Sequence, residues 1–133
     1  MPKPRTRIPR GSKYGNKRAP SLLVGRSFHS QAERARGEEL ALLEKAGAIR
    51  NLRFQVPVPL RVNGKLVTTW IADFVWECPP PWRGILDGEA VDDGFCRVYE
   101  DLKGFRTDLY ALKAKLFEAI FGFPIYESQP KRK

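Results

Sequence analysis

The chain has 133 residues, which suits one compact domain with its own hydrophobic core and leaves little room for a second. Its hydrophobic content of 42% is normal for a soluble globular protein, and no apolar run approaches the ~20 residues that span a bilayer. The net charge is +9 and the first residues contain no apolar signal segment, so we expect a cytoplasmic protein without a membrane anchor.

The basic residues are concentrated at the two ends of the chain. Residues 1–20 contain seven Lys or Arg and no acid, residues 131–133 are all basic, and the remainder is nearly neutral. We predict a flexible basic arm over 1–20, a single domain over 21–130 and a basic tail over 131–133. Basic ends of this kind favour nucleic-acid binding, because phosphate contacts release counterions; a solubilising tail is the plainer alternative, and an acidic membrane is a weaker one. The predicted substrate-contacting residues of this region are Lys13, Lys17 and Arg18.

The first predicted element is a helix over about residues 31–46. Ser30 is a favourable N-cap, and Glu33, three residues later, completes a capping box. Gly47 is a plausible end, and Gly37 lies inside the helix. For Glu33 alone, the capping role is at least as good an explanation as a functional one.

Two strands are predicted next. Apolar residues alternate over 52–60, where Pro57 and Pro59 indicate an edge position or a break, and Asn63-Gly64 predicts a tight hairpin turn. The return strand, "KLVTTWIADFVWE", is rich in β-branched and aromatic residues. Strict alternation would place Ile71, Asp73 and Val75 on one face and Ala72, Phe74 and Trp76 on the other.

The second half of the chain predicts a loop, a third strand, a helix and a short last strand. "CPPPWRGILDGEAVDDGF" reads as an extended hairpin loop, with reduced cysteines Cys78 and Cys96 facing each other at its base. "CRVYEDLKG" is the third strand, a helix follows from Asp108 to Phe121, and residues 124–127 form the last strand. The resulting class is α+β or α/β, with a central mixed sheet flanked by helices. The predicted apolar stripe of the second helix is Leu109, Leu112, Leu116 and Ile120.

Asp73, Asp101 and Lys103 are the residues most suggestive of chemistry. An ionised carboxylate within an apolar strand is costly unless it is paired or binds a cation, and two carboxylates on neighbouring strands can share one. Asp101 and Lys103 lie on the same face of their strand, whereas alternation turns Glu100 away. The plainer alternatives are an exposed Asp101–Lys103 ion pair and an Asp73 satisfied by a turn or an arginine.

Four segments in this order resemble the PD-(D/E)XK nuclease superfamily, and more closely a phage-associated branch related to Holliday junction resolvases. They are "SKYGNK", "FHSQAERARGEELALLEKAGAIRNLRFQ", "IADFVW" and "YEDLKGFRTDLYALKAKLFEAIFGFPIYE", which together cover most of the chain beyond residue 12. Ala72 stands where the superfamily name places a proline. The resemblance implies a restriction-endonuclease-like core.

The resemblance also implies roles for individual residues. Asp73 and Asp101 would be metal ligands, with the carbonyl of Leu102 as a third, and Lys103 would serve the attacking water. The metal would be Mg²⁺, with Mn²⁺ as a substitute, and no organic cofactor is implied. Glu33 would hold a water or a second cation. Further residues implied in substrate binding are Gln55, Tyr110 and Lys113, of which Tyr110 is equally plausible as a core residue.

The expectation is therefore a metal-dependent DNA endonuclease that hydrolyses phosphodiester bonds. A Holliday junction, another branched DNA and plain duplex all stay open as substrates, and RNA is not excluded. By analogy we expect a homodimer that acts in the host cytoplasm if phage-encoded, with the first helix or the proline-bearing edge as its interface. The alternatives are a non-catalytic DNA-binding protein on the same fold and a virion assembly protein.

Overall fold

The computed structural model describes residues 18–79 and 88–130. The predicted α+β class with a mixed sheet is confirmed, as are both helices to within one residue of their predicted bounds. Ser30 and Thr107 cap the helices by accepting hydrogen bonds from the backbone amides of Glu33 and Tyr110. The elements are β1 (Ala19–Ser21), β2 (Arg26–Phe28), α1 (Gln31–Lys45), β3 (Arg50–Val62), β4 (Lys65–Cys78), β5 (Glu89–Ala90), β6 (Cys96–Leu102), α2 (Asp108–Phe121) and β7 (Tyr126–Ser128).

Five strands form one mixed sheet, and β1 and β2 form a separate hairpin. The order in the large sheet is β3-β4-β6-β5, with antiparallel neighbours, and β7 adds to β6 in parallel. The proline-bearing β3 lies at the edge as predicted, since each proline lacks a ladder donor. Asn63 and Gly64 have φ values of 51° and 83°, which both central positions of a tight hairpin turn require.

Each face of the sheet carries its own core. On one face, Phe74 and Trp76 pack with Leu40 of α1 and with Phe28. On the other face, hydrophobic residues of β3, β4 and β6 pack against α2. No helix within the described parts of the chain is long and apolar enough to cross a membrane.

The predicted apolar stripe of α2 is wrong. Leu109 and Leu112 are 61% and 63% exposed and Ile120 is 37% exposed, while Leu116 is only partly buried. The residues that α2 buries are Tyr110 and Phe117, because their rings offer more area to the sheet than the leucines do.

The predicted alternation along β4 is also wrong, and it fails at Asp73. Ala72 and Val75 both belong to the core under α2, whereas Phe74 belongs to the core under α1. The partner strand is irregular at the same level, where Gln55 has a φ of 53°, in the left-handed region. Gln55 and Asp73 lie opposite each other, between the pairs Phe54–Phe74 and Val56–Ala72, and therefore stand where the two faces meet.

Gly37 lies where α1 crosses β2. A Cβ at this position would stand 2.7 Å from Cζ of Phe28, which is closer than side-chain carbons approach. The glycine therefore lets the helix backbone rest directly on the Phe28 ring.

Cys78 and Cys96 are paired in register across β4 and β6, as predicted, and both are buried free thiols. Residues 80–87 of the predicted loop lie outside the described residues. The described remainder contains β5 and a single 3₁₀ turn at Asp92–Gly94.

Candidate active site

The carboxyl groups of Asp73 and Asp101 meet at the level where the strand alternation breaks. Phe74 pairs with Glu100 in antiparallel register, so the preceding residue of β4 lies opposite the following residue of β6. The two carboxyl groups lie close enough that each changes the pKa of the other. Two acids that are 28 residues apart in sequence therefore form one contact.

Burial and the closeness of the two carboxyl groups raise the pKa values of this pair. Burial, together with the closeness and the charge of Asp73, raises the pKa of Asp101 to about 8. Burial, with the nearby charge of Glu33, also raises the pKa of Asp73. The two groups titrate as a unit, since one proton between them removes the repulsion of two buried negative charges.

Lys103 and Trp70 contact the other side of Asp101. The Lys103 ammonium Nζ is 3.4 Å from Asp101 Oδ2, and the Trp70 indole Nε1 donates a 3.2 Å hydrogen bond to the same oxygen. Lys103 Nζ also lies 4.2 Å from the centre of the Tyr110 ring, an arrangement that favours a cation. The charge of Lys103 and the hydrogen bond from Trp70 both oppose the rise in the pKa of Asp101 without cancelling it.

Gln55 joins Glu33 to the aspartate pair. Its amide Nε2 donates to Glu33 Oε2 at 2.7 Å and to Asp73 Oδ1 at 3.3 Å. Glu33 is buried, and burial raises its pKa against the opposing effects of His29 and Gln55. Glu33 therefore belongs to the carboxylate cluster, while its backbone amide serves the helix cap.

The backbone of Leu102 also reaches this cluster. Its amide donates a 3.0 Å hydrogen bond to Asp73 Oδ2, which fixes the end of β6 against β4. The Leu102 side chain is partly buried against the α1 core, on the opposite face from Asp101. The backbone of Leu102, whose carbonyl is the predicted third metal ligand, thus lies beside the Asp73 carboxylate.

Tyr110 and Lys113 are held by contacts within the protein. The Tyr110 hydroxyl donates to Glu127 Oε2 at 2.8 Å, and burial together with this carboxylate raises its pKa. Lys113 Nζ donates to the backbone carbonyl of Thr69 at 3.0 Å. Of these two residues, Tyr110 contacts the cluster, through the face of its ring under Lys103.

Arg18 is exposed and immediately precedes β1. The other two predicted arm contacts, Lys13 and Lys17, lie outside the described residues.

Glu100 points to the opposite face, as alternation predicts, and is fully buried there. It accepts hydrogen bonds from Arg36, from the Trp76 indole and from the Ser128 hydroxyl. These donors compensate its charge, so Glu100 supports the attachment of α1 and β7 to the sheet.

Sequence reasoning missed Trp70 and the basic residues beside Glu33. The His29 imidazole Nδ1 is 3.9 Å from Glu33 Oε1, and Arg26 lies near enough to lower the Glu33 pKa. Trp70 carried no sequence signal, because its approach to Asp101 depends on the break in β4. His29 did carry one, since it directly precedes the Ser30 cap and so lies one turn from Glu33.

Within residues 18–79 and 88–130, no group of three or more His, Cys, Asp and Glu side chains is arranged to hold a metal ion. The Asp73–Asp101 pair nevertheless suits a hard divalent cation. Mg²⁺ takes oxygen ligands, often only one or two carboxylates, and completes its shell with water and substrate phosphate. A cation between the two carboxylates would compensate the charges that burial disfavours.

No family model, no curated protein and no solved structure matches this chain. The chemical reading of the site therefore depends on its geometry: a buried aspartate pair, a lysine at one side, and a glutamate linked through an amide at the other.

Proposed function

We propose that this protein is a metal-dependent endonuclease that hydrolyses phosphodiester bonds in DNA. The observation that carries the proposal is the meeting of the Asp73 and Asp101 carboxyl groups beside Lys103, whose Nζ is 3.4 Å from Asp101. Paired carboxylates that hold a divalent cation next to a cationic side chain suit the attack of water on a phosphate. The order of the four sequence segments, which resembles the PD-(D/E)XK nucleases, adds support.

In this proposal Asp73 and Asp101 hold Mg²⁺, together with the carbonyl of Leu102. The bound cation supplies neutralisation of charge at the scissile phosphate. Lys103 donates hydrogen bonds to the attacking water and to the phosphate oxygens, and Asp101 and the Tyr110 ring keep its ammonium in place. As the water oxygen bonds to phosphorus, one P–O ester bond breaks, and the water's proton passes through solvent to the departing ester oxygen. Gln55 fixes the orientation of Asp73 relative to Glu33, whose carboxylate orients water at the far side of the pair.

The proposed substrate is branched DNA, such as a four-way junction, in phage-type DNA processing. The basic ends of the chain would supply affinity that does not depend on sequence. A homodimer is part of the proposal by analogy with junction resolvases, and sedimentation of the wild type would give the mass of the species in solution.

The test is an incubation of purified protein with labelled junction, flap, single-stranded and duplex DNAs, with Mg²⁺ or with EDTA. We expect cleavage with Mg²⁺ alone, and a loss of at least about 100-fold for Asp101→Asn with DNA affinity retained, because the side chain keeps its shape but loses its charge. Asp92→Asn is the matched control, since Asp92 is exposed and lies outside the cluster.

The rival functions predict different results in the same assay. A wild type that binds these DNAs but cuts none of them with either Mg²⁺ or Mn²⁺ would be a non-catalytic DNA-binding protein. A virion assembly protein would also fail to cut, and removal of its basic arm would impair assembly rather than DNA affinity.

A further inference from the structure

A groove lies between the N-terminal half of α1 and the ends of β6 and β7, and it encloses about 780 Å³. This is within the range of about 300–1,000 Å³ that is typical of small-molecule sites. Gln31 and Ala35 lie on its helix wall, and Leu102, Tyr126 and Gln129 lie on its strand wall.

The groove is lined by sequence neighbours of the proposed active-site residues on α1 and β6. Ala32, on the helix side, directly precedes Glu33. Leu102, on the strand side, lies between Asp101 and Lys103 and turns its side chain to the face opposite the aspartate pair. Adjacent residues of α1 and of β6 thus line the groove and the aspartate cluster in turn, and a substrate strand that crosses this end of β6 would meet both.

The charges in the groove favour an uncharged ligand. Two arginines and two glutamates line it, so the guanidinium charges are balanced. Arg36 is already bound to Glu100 and Glu39, and Arg34 to Gln31 and Glu38. A phosphate would therefore have to displace existing ion pairs, whereas a neutral planar group would not.

The remaining groups suit a planar polar ring. Tyr126 is half-buried, packs against the core under α1 and lines the groove. The Gln129 amide offers a donor and an acceptor, and the Gln31 amide, whose oxygen accepts from Arg34, offers its N–H donors. Nucleobases stack on aromatic side chains and present donors and acceptors at their edges, which are accessible only when the base is unpaired.

We propose that the groove binds an unpaired nucleobase of the DNA substrate, next to the phosphodiester that is cut. This assignment rests on the proposed endonuclease function and gives a physical reason for a preference for branched over fully paired DNA.

The test measures binding in EDTA, so that it is independent of cleavage. The probes are a fluorescent duplex with one unpaired nucleotide, the same DNA with an abasic residue at that position, and the fully paired duplex. We expect the wild type to bind the base-containing probe about tenfold more tightly than the abasic one. Tyr126→Ala should reduce that ratio to near one, and Tyr126→Phe should restore it.

Ala35→Phe provides a second variant that fills the groove without removing a contact, because Ala35 is an exposed residue on the groove wall. Ala46→Phe, at the exposed C-terminal end of α1, is its matched control. Ala35→Phe should bind all three probes with the affinity that the wild type has for the abasic probe, and Ala46→Phe should behave as the wild type.

Equal binding of the base-containing and abasic probes by the wild type would overturn the assignment. So would an Ala35→Phe variant that keeps the tenfold ratio. If the wild type prefers the base-containing probe but cuts no DNA with Mg²⁺, the base site is supported and the proposed nuclease activity is wrong. If it cuts DNA but binds the base-containing and abasic probes equally, the nuclease activity is supported and the base site is wrong.

Discussion

At the scale of single residues, the aspartate pair makes stability depend on pH in an unusual direction. The folded-state pKa of Asp101 is about 8, against an ordinary value of 3.8, because of burial and Asp73. The proton is therefore held more tightly in the folded state, and the stability it contributes is fully present below about pH 4 and is lost as pH rises through 8.

We therefore expect the metal-free protein to lose stability between pH 5 and pH 9. Asp101→Asn should flatten this dependence and be more stable than the wild type at pH 9 by about 1–3 kcal/mol, since it removes a buried charge that Asp73 repels. Urea denaturation in EDTA at several pH values measures both effects. A wild type that gains stability over this interval would contradict the assignment of the raised pKa to this pair.

Trp70 is a positioning residue for Asp101. Its indole N–H donates to the carboxylate, while its ring packs edge-on against Phe117 with centroids 5.3 Å apart. Trp70→Phe should keep most of the packing, cost about 1–2 kcal/mol, and raise the Asp101 pKa further. The acidic limb of the pH–rate profile for cleavage should then move to higher pH.

Phe117→Leu is the control for Trp70. It loosens the same packing but leaves the hydrogen bond to Asp101 intact, so we expect lower stability and an unmoved acidic limb. If both variants move the limb equally, the hydrogen bond has no separate role.

The sequence was informative about those site residues that follow local rules. Asp101 and Lys103 share a face because strand positions i and i+2 do, and the capping box located Glu33 at the start of a helix. The contact of Trp70 with Asp101 and the face on which Ala72 lies were not predictable. Both depend on the change of faces at Asp73, opposite Gln55, and no residue type in the sequence indicates the positive φ of Gln55.

At the scale of elements, caps and turns predicted boundaries well, whereas burial of the helix faces was predicted poorly. Helix α2 has its predicted bounds, Asp108 and Phe121, yet its buried face carries Tyr110 and Phe117 rather than Leu109 and Leu112. Both faces of α2 have helical spacing of apolar residues, so periodicity alone could not choose between them. The face that α2 buries is the one that carries the large rings of Tyr110 and Phe117.

The contact between α1 and β2 gives an element-scale prediction. Gly37→Ala would ordinarily stabilise a helix by about 1 kcal/mol, but here the new Cβ would overlap the Phe28 ring. We expect a net loss of about 1–3 kcal/mol in unfolding free energy.

Combining Gly37→Ala with Phe28→Leu tests the cause. The smaller leucine leaves room for the Cβ, so the double variant should be more stable than the sum of the two single changes predicts. Strict additivity in urea denaturation would assign the loss to something other than this overlap.

At the scale of the whole molecule, much of the excess positive charge lies in a different part of the sequence from the candidate catalytic residues. Residues 1–17 carry six Lys or Arg and no acid, so their deletion would take the net charge from +9 to +3. If these residues contact DNA phosphates, the slope of log K against log[salt] should decrease in magnitude by up to about 5. The aspartate cluster would remain, so cleavage at saturating DNA should change little.

A variant of full length with the six basic residues replaced by Gln separates charge from chain length. It should reproduce the shallower salt slope, whereas Asp101→Asn should keep the wild-type slope because it lies in the buried cluster. Fluorescence anisotropy from about 50 to 300 mM salt measures each slope. An unchanged slope after deletion would remove these residues from the DNA interface and leave affinity to the described domain and the basic tail.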